Sequence, residues 1–260
     1  MIVNADDFGL DETANRGIAI AFDRGLISST TLMANQAGFE EAVELAHQLR
    51  LDGHMGVHLV LTSGIPLTDA MRRSRRFCDS EGLFRNWRAA GNLWRVTPSE
   101  RSALMGELGA QVERVRGARF RITHLDSHHH VHNEWIVGEC VIAIARDMAI
   151  PWVRLARNSG SPAGLSRSIY KRAFNWRLRH RRLARTRWFG DIGDWLHLRS
   201  NGGDAASLDD FEVMTHPILD GQGRLMDADG GGDELAALLG PLAGSSLVSY
   251  AELRYEPGYG

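Results

Sequence analysis

Strand-like and helix-like patterns alternate through four repetitions in this 260-residue chain and predict an α/β protein built as a single, irregular, TIM-like (β/α) barrel. Three observations carry that expectation. Repeated βα units imply parallel strands joined by crossover helices. The length suits one barrel. No linker or composition break divides the chain, so residues 1–260 read as one domain. An open doubly wound sheet uses the same units, and periodicity alone does not distinguish the two.

Ile2–Ala5 is a short apolar run ending in acids, and the helical stretch Glu12–Arg24 that follows is closed by Gly25. Leu26–Ala34, rich in β-branched residues, reads as a second strand. Ala42, Leu45, Ala46 and Leu49 recur at helical spacing and form one apolar face. Met55–Leu61 is a third strand, followed by an irregular excursion over residues 62–96. Thr97-Pro98-Ser99-Glu100 has the form of a capping box, opening a helix with Leu104, Leu108, Val112 and Val115 along one stripe. Phe120–Leu125 is a fourth strand, running into a histidine cluster. A helix over Trp135–Met148, a strand over Trp152–Ala156, and strand candidates at Phe211–Thr215 and Leu247–Tyr250 complete the series. A second, basic excursion covers residues 164–190.

Composition narrows the chemistry. With 24% charged residues and a net charge of -2, no global attraction to nucleic acid is expected. Cys78 and Cys140, the only cysteines, cannot supply a thiolate zinc site or a disulfide framework. Lys171 is the only lysine and sits outside any glycine-rich loop, which argues against Schiff-base or P-loop chemistry. The N-terminus has neither a basic nor an apolar leader region, and no run of about 18 apolar residues is present to span a membrane. A cytoplasmic protein is the expectation, and a homodimer is compatible with it. Histidine is the unusual component. Of 11 in the chain, His124, His128, His129, His130 and His132 lie within nine residues.

The polar residues fall at strand ends. Asp6 and Asp7 end the first strand, His58 lies in the third, Asp126-Ser127-His128 ends the fourth, and His216 follows Phe211–Thr215. Parallel α/β folds gather the carboxyl ends of their strands on one face, where active sites form. Two imidazoles and a carboxylate are a common ligand set for a catalytic divalent metal. A second carboxylate can take a proton from water, and a further histidine can protonate a leaving group. Together these are the parts of metal-assisted hydrolysis. Each also has a plainer reading. Asp6 and Asp7 can cap a helix, His58 can be a hydrogen-bonded core residue, His128–His130 can form a surface patch, and His216-Pro217 can start a loop.

Longer motifs give the pattern a family. Asn4-Ala5-Asp6-Asp7-Phe8-Gly9-Leu10, Gly56-Val57-His58-Leu59 and the run Thr123–His132 resemble the YdjC-like carbohydrate deacetylases, which include chitooligosaccharide and hopanoid-biosynthesis-associated deacetylases. Ser29-Thr30-Thr31, Leu61–Gly64 with Pro66-Leu67-Thr68, and Glu212–Pro217 also resemble family motifs. Ile218 departs from the small residue many relatives have after the His-Pro pair. The resemblance implies a distorted (β/α) barrel related to polysaccharide deacetylases, with one divalent metal ion, zinc or magnesium. Carried over by motif, Asp7, His58 and His128 would hold the metal, Asp6 would be the general base and His216 the general acid. Arg154 would orient or bind polar groups, and Asp126, His124, His129, His130 and His132 would support the ligands or touch substrate. The implied reaction is hydrolysis of the acetamide of an N-acetylated sugar, in an oligosaccharide or a lipid-linked glycan. A metal-dependent isomerase or phosphoesterase, or a non-catalytic sugar-binding barrel, are the competing classes.

Two further features stand apart. Residues 167–187 hold nine basic side chains (Arg167, Lys171, Arg172, Arg177, Arg179, Arg181, Arg182, Arg185 and Arg187) interleaved with Tyr170, Phe174 and Trp176. They read either as a solvated basic helix with an aromatic face on the barrel, or as a patch for an anionic partner, with peripheral membrane contact among the options. Trp87 and Trp94 either stack on sugar rings or pack onto the barrel.

Overall fold

The computed structural model describes residues 1–87, 95–160, 164–184 and 186–253, with residues 205 and 206 described in backbone only. In chain order the elements are β1 (Ile2–Phe8), α1 (Glu12–Asp23), β2 (Ser29–Leu32), α2 (Phe39–Gln48), β3 (Met55–Leu59), α3 (Asp69–Arg72), α4 (Pro98–Gly117), β4 (His124–Ser127), α5 (Trp135–Asp147) and β5 (Trp152–Val153). There follow α6 (Leu165–His180), β6 (Trp188–Gly190), α7 (Ile192–Ser200), α8 (Ala205–Asp209), β7 (Phe211–Thr215), β8 (Pro217–Leu219), β9 (Leu225–Asp227) and α9 (Leu235–Leu238). No helix among the described residues is long and apolar enough to cross a membrane.

Seven parallel strands form one curled sheet in the order β5-β4-β3-β2-β1-β7-β6. The expected distorted barrel takes the form of a half-barrel. Its two edges are bridged by scattered bonds instead of a ladder: past the end of β5, the Asn158 side chain accepts from the Phe189 amide of β6 at 2.9 Å and donates to the Arg187 carbonyl at 3.0 Å. A small antiparallel pair, β8 and β9, lies against α1. Gly17 of α1 permits that approach, because a Cβ there would come within 2.7 Å of the Ile218 backbone. Ile218, the residue that departs from the family pattern, is therefore seated on a glycine.

Side chains alternate across each strand, and the two faces differ in character. Val3, Ala5, Val57 and Leu125 are buried under the helices, where the main apolar core lies. The concave face carries Asn4 and Asp6, Thr31, His58, His124 and Asp126, and Glu212, all buried. At its floor Ile2, Trp152 and Tyr250 form a separate small apolar cluster. The half-barrel thus encloses a polar interior over an apolar floor.

The helix signals read from sequence are formed. Asp11 caps α1, and Thr97 and Glu100 make the reciprocal capping box of α4, whose Leu104, Leu108, Val112 and Val115 are all buried. Two strand readings need correction, one strand went unread, and one open alternative is decided. The fourth strand spans His124–Ser127, later than Phe120–Leu125, because its β3 partners are Val57–Leu59. Leu247–Tyr250 is no strand: β1 is already paired on both edges, so contact there is limited to the Val248 amide donating to the Met1 carbonyl and the Met1 ammonium donating to the Ser246 carbonyl before the chain turns under the barrel. Strand β6 has three residues, too few to display a period of two. Trp87 is buried edge-on against Phe77, with its indole N–H donating to the Leu61 carbonyl at 2.8 Å, so it packs onto the barrel and faces no sugar. Trp94 and Arg185 lie outside the described residues.

Candidate active site

In a regular strand, adjacent residues point to opposite faces, so Asp6 and Asp7 should diverge. They do not. The β1–β2 register shifts between Ala5 and Phe8, and Asp7 adopts a left-handed conformation at φ 69°. Such a bulge re-aims a side chain, and aspartate tolerates this backbone region better than most residues. Both carboxylates consequently reach the mouth of the barrel.

Asp7 Oδ1 accepts from His58 Nε2 at 3.1 Å and from His128 Nδ1 at 2.9 Å. These three side chains, from β1, β3 and the end of β4, offer one ligand atom each within 4.8 Å of one another. The opposite nitrogen of His58 donates to Asp126 Oδ1 at 2.8 Å. Thr31 donates to Asp126 Oδ2 at 3.0 Å and lies 3.1 Å from the same ring nitrogen. Asp126 therefore fixes the His58 tautomer and leaves Nε2 directed at Asp7, the outer support that metal-bound histidines generally have.

Asp6 is held differently. The fully buried Arg154, one residue past β5, meets both Asp6 oxygens at 2.6 and 2.7 Å, and Asn4 donates to Asp6 Oδ1 at 2.8 Å. The same guanidinium reaches Asp126 at 2.7 Å and Glu212 at 2.7 Å, with the Phe189 ring beneath it. Tyr250 donates to the far oxygen of Glu212 and stacks on His124. Gly56 makes room for that His124 ring, which would otherwise lie 2.5 Å from a Cβ.

The electrostatics follow from this packing. Burial alone would raise the Asp6 carboxyl, but the Arg154 charge and hydrogen bonds, with His58 and His216, hold it well below the usual carboxylate range. For Asp7, burial is likewise outweighed by hydrogen bonds from His128 and His58. Burial disfavours a proton on His58, yet Asp126, Asp7 and Asp6 push it up to about 10. Glu212 is raised, burial outweighing Arg154 and Tyr250. The interior thus sets Asp6, Asp7, Asp126 and Glu212 against the single arginine Arg154, leaving an excess of negative charge. A divalent cation fits this donor set of nitrogens and oxygens, and the proton that His58 retains occupies the place such a cation would take.

The remaining predicted residues are more dispersed. His216 stands at the end of β7, where Thr215 pairs with Ala5 of β1; its amide donates to Asp227 at 2.9 Å and its Nδ1 lies 3.2 Å from Asp229. The histidine run is no extended strand. His128–Asn133 forms a tight 3-10 turn with His129 and His130 in left-handed conformations, so its rings do not alternate as they would along a strand. His129 bonds Thr62 at 2.9 Å, at the rim. His132 is buried on Ser127, which ties the turn together. His130 packs on Phe189. His124 and His132 are closed off from any substrate. Burial lowers the pKa of His124, His130 and His132, of His130 to about 3.

Thr31, Asn4, Glu212, Tyr250 and Asp229 belong to this constellation but were given no role from sequence. Asn4, Thr31 and Glu212 lie in the quoted motifs, and Glu212 carried a further signal, a single carboxylate inside the otherwise uncharged strand Phe211–Thr215.

Comparison with known proteins gives four findings. A family model described as YdjC-like protein matches residues 1–247. A carbohydrate deacetylase of Brevibacillus brevis is 40% identical over 151 residues, which are 58% of this chain and 57% of that protein. A chitooligosaccharide deacetylase of Yersinia pestis is 38% identical over 170 residues, 64% of this chain and 63% of the relative. The matched stretch therefore spans less than two thirds of either relative. Among solved structures, a protein of Enterococcus faecalis described as a "putative cellobiose-phosphate cleavage protein" superposes with a TM-score of 0.61 at 23% identity, covering 85% of this chain and 82% of the other. That likeness concerns the fold alone.

Proposed function

The chain belongs to the YdjC-like protein family, and from that premise we propose that it hydrolyses the acetamide of an N-acetylated sugar, releasing acetate and a free amine. The relatives named as carbohydrate and chitooligosaccharide deacetylases support the substrate class. The observation that carries the reading is the separation of two carboxylates adjacent in sequence: Asp7 joins His58 and His128, whereas Asp6 is clamped by Arg154.

Asp7, His58 and His128 would hold one divalent cation, zinc or magnesium. When bound, it supplies Lewis-acid polarisation of the amide carbonyl and lowers the pKa of water. Asp6 takes the proton from the attacking water. Held low by Arg154, it is ionised and free to accept that proton, and the weak basicity this implies would be matched by a water whose own pKa the cation lowers. Arg154 keeps both Asp6 oxygens in place. His216, one residue past β7 and so beside β1, delivers a proton to the departing nitrogen, and Asp229 holds its Nδ1 so that Nε2 is presented. Without that proton an amide nitrogen leaves poorly, which is why the site needs an acid as well as a base.

Acetate release from N-acetylglucosamine oligomers, assayed with and without chelator, tests the reading. Release that stops on chelation and returns with zinc or magnesium is expected. Protein that holds its metal yet frees no acetate from any acetamide would overturn the proposal.

A further inference from the structure

We propose that the outward face of α6 docks the protein onto an anionic phospholipid surface, its apolar stripe entering the interfacial layer and arginines on either flank meeting lipid phosphates. Three of the six large hydrophobic side chains most exposed among the described residues belong to this helix: Leu165 at 80%, Ile169 at 57% and Trp176 at 64%. Spaced four and seven residues apart, they lie along one stripe. The roll of the helix is fixed from behind. Phe174, Asn175 and Leu178 are buried, and the Asn175 amide makes two 2.8 Å bonds to the Ala156 backbone, so the stripe cannot turn inward. Of the aromatic face expected on the barrel, Phe174 is inside, while Trp176 stands in solvent beside His180.

The charge on the segment that carries the stripe is of one sign. No acidic residue occurs between Asp147 and Asp191, although the whole chain carries a net charge of -2. Arg172 and Arg179 are exposed on one flank. On the other, Arg177 and Arg181 line a groove of about 530 Å³ with Arg101 and Arg146, where Glu139 and Asp147 offset only half of the positive charge. Among the described residues Arg146 and Arg181 make no ion pair.

An interfacial helix combines these features: leucine, isoleucine and tryptophan on one side, with arginines at headgroup level. A second copy of the chain fits poorly, because a two-fold contact through this face would set arginines against arginines. A nucleic-acid backbone would satisfy the arginines but leave the Leu165–Trp176 stripe in water. Tyr170, in the second turn of α6, donates its hydroxyl to the Asn133 carbonyl at 2.6 Å, at the end of the turn that begins with His128. Docking by this helix would thus act on an element tied to the candidate site.

Flotation of the full chain with phosphatidylcholine vesicles, with and without phosphatidylglycerol, tests the inference. Binding only to vesicles containing phosphatidylglycerol is expected. The pair Ile169→Ser and Trp176→Ser, which leaves every arginine, should weaken it by at least about tenfold, since two apolar anchors are removed. The pair Arg172→Gln and Arg181→Gln, on the two flanks, should weaken it comparably, and more so in salt. All four positions are exposed, so unchanged melting temperatures are expected; if the serine pair melts early, the glutamine pair decides. Three results would overturn the inference: no binding to anionic vesicles, undiminished binding by a folded serine pair, or a dimer in solution that this pair dissolves.

Discussion

Asp6 and Asp7 are neighbours with opposite duties, and each follows from what the side chain touches. Asp6→Asn keeps the size and removes the charge that accepts a proton. It is expected to bind metal normally and to lose about 10²–10⁴-fold in kcat, the usual worth of a general base. His128→Ala should lose the metal itself, as read by elemental analysis of dialysed protein. Equal metal loss in both variants would reverse the two assignments. His58 adds a pH dependence. Its pKa is about 10 in the folded metal-free protein against 6.5 when unfolded, so its stabilising proton is fully effective below pH 6.5 and is lost as the pH rises toward 10. Metal-free protein should therefore melt at progressively lower temperature across that alkaline window, whereas metal-loaded protein, in which the ring is already deprotonated, should not.

At the scale of elements, two glycines of the same chain give opposite expectations. In β3, a methyl at Gly56 would meet the His124 ring, itself stacked on Tyr250. Gly56→Ala should cost about 1–3 kcal/mol, as overpacking of a filled interior does. Gly106 lies within α4 with open space around it, and Gly106→Ala should stabilise by roughly 0.5–1 kcal/mol through helix propensity. Urea unfolding of the pair would show the difference in sign.

The same elements explain what sequence could disclose. Helix α4 was legible because its cap, its proline and its apolar stripe are all local. The placing of Asp6, Asp7, His58, His128 and His216 at strand ends was legible because period-two strands in parallel folds finish at one face. The convergence of both aspartates was not, since it depends on a bulge and a left-handed residue that leave no mark in composition. The network of Arg154, Glu212 and Tyr250 was hidden for another reason. Its members lie up to 96 residues apart, from Arg154 to Tyr250, and only curvature of the sheet joins them.

For the whole molecule, the polar interior makes acid the sensitive direction. His124, His130 and His132 are kept neutral inside the fold, His130 down to about 3, whereas each would titrate near 6.5 when unfolded. A depressed folded pKa means the stability is complete above 6.5 and is lost as the pH falls toward 3. The suppressed carboxyls of Asp6 and Asp7 act later, below their unfolded value of 3.8. Urea midpoints should therefore begin to drop near pH 6.5, well before the carboxylate range. A midpoint unchanged down to pH 4.5 would show that the buried rings do not resist protonation.

Tyr250 has a consequence for how the molecule is made. It anchors Glu212, Glu212 anchors Arg154, and Arg154 anchors Asp6, so an aspartate is held in place through a residue made 244 positions after it. On the ribosome the strands can pair as they emerge, but the polar interior cannot be braced until Tyr250 has cleared the exit tunnel. Up to that moment its acids wait unsupported.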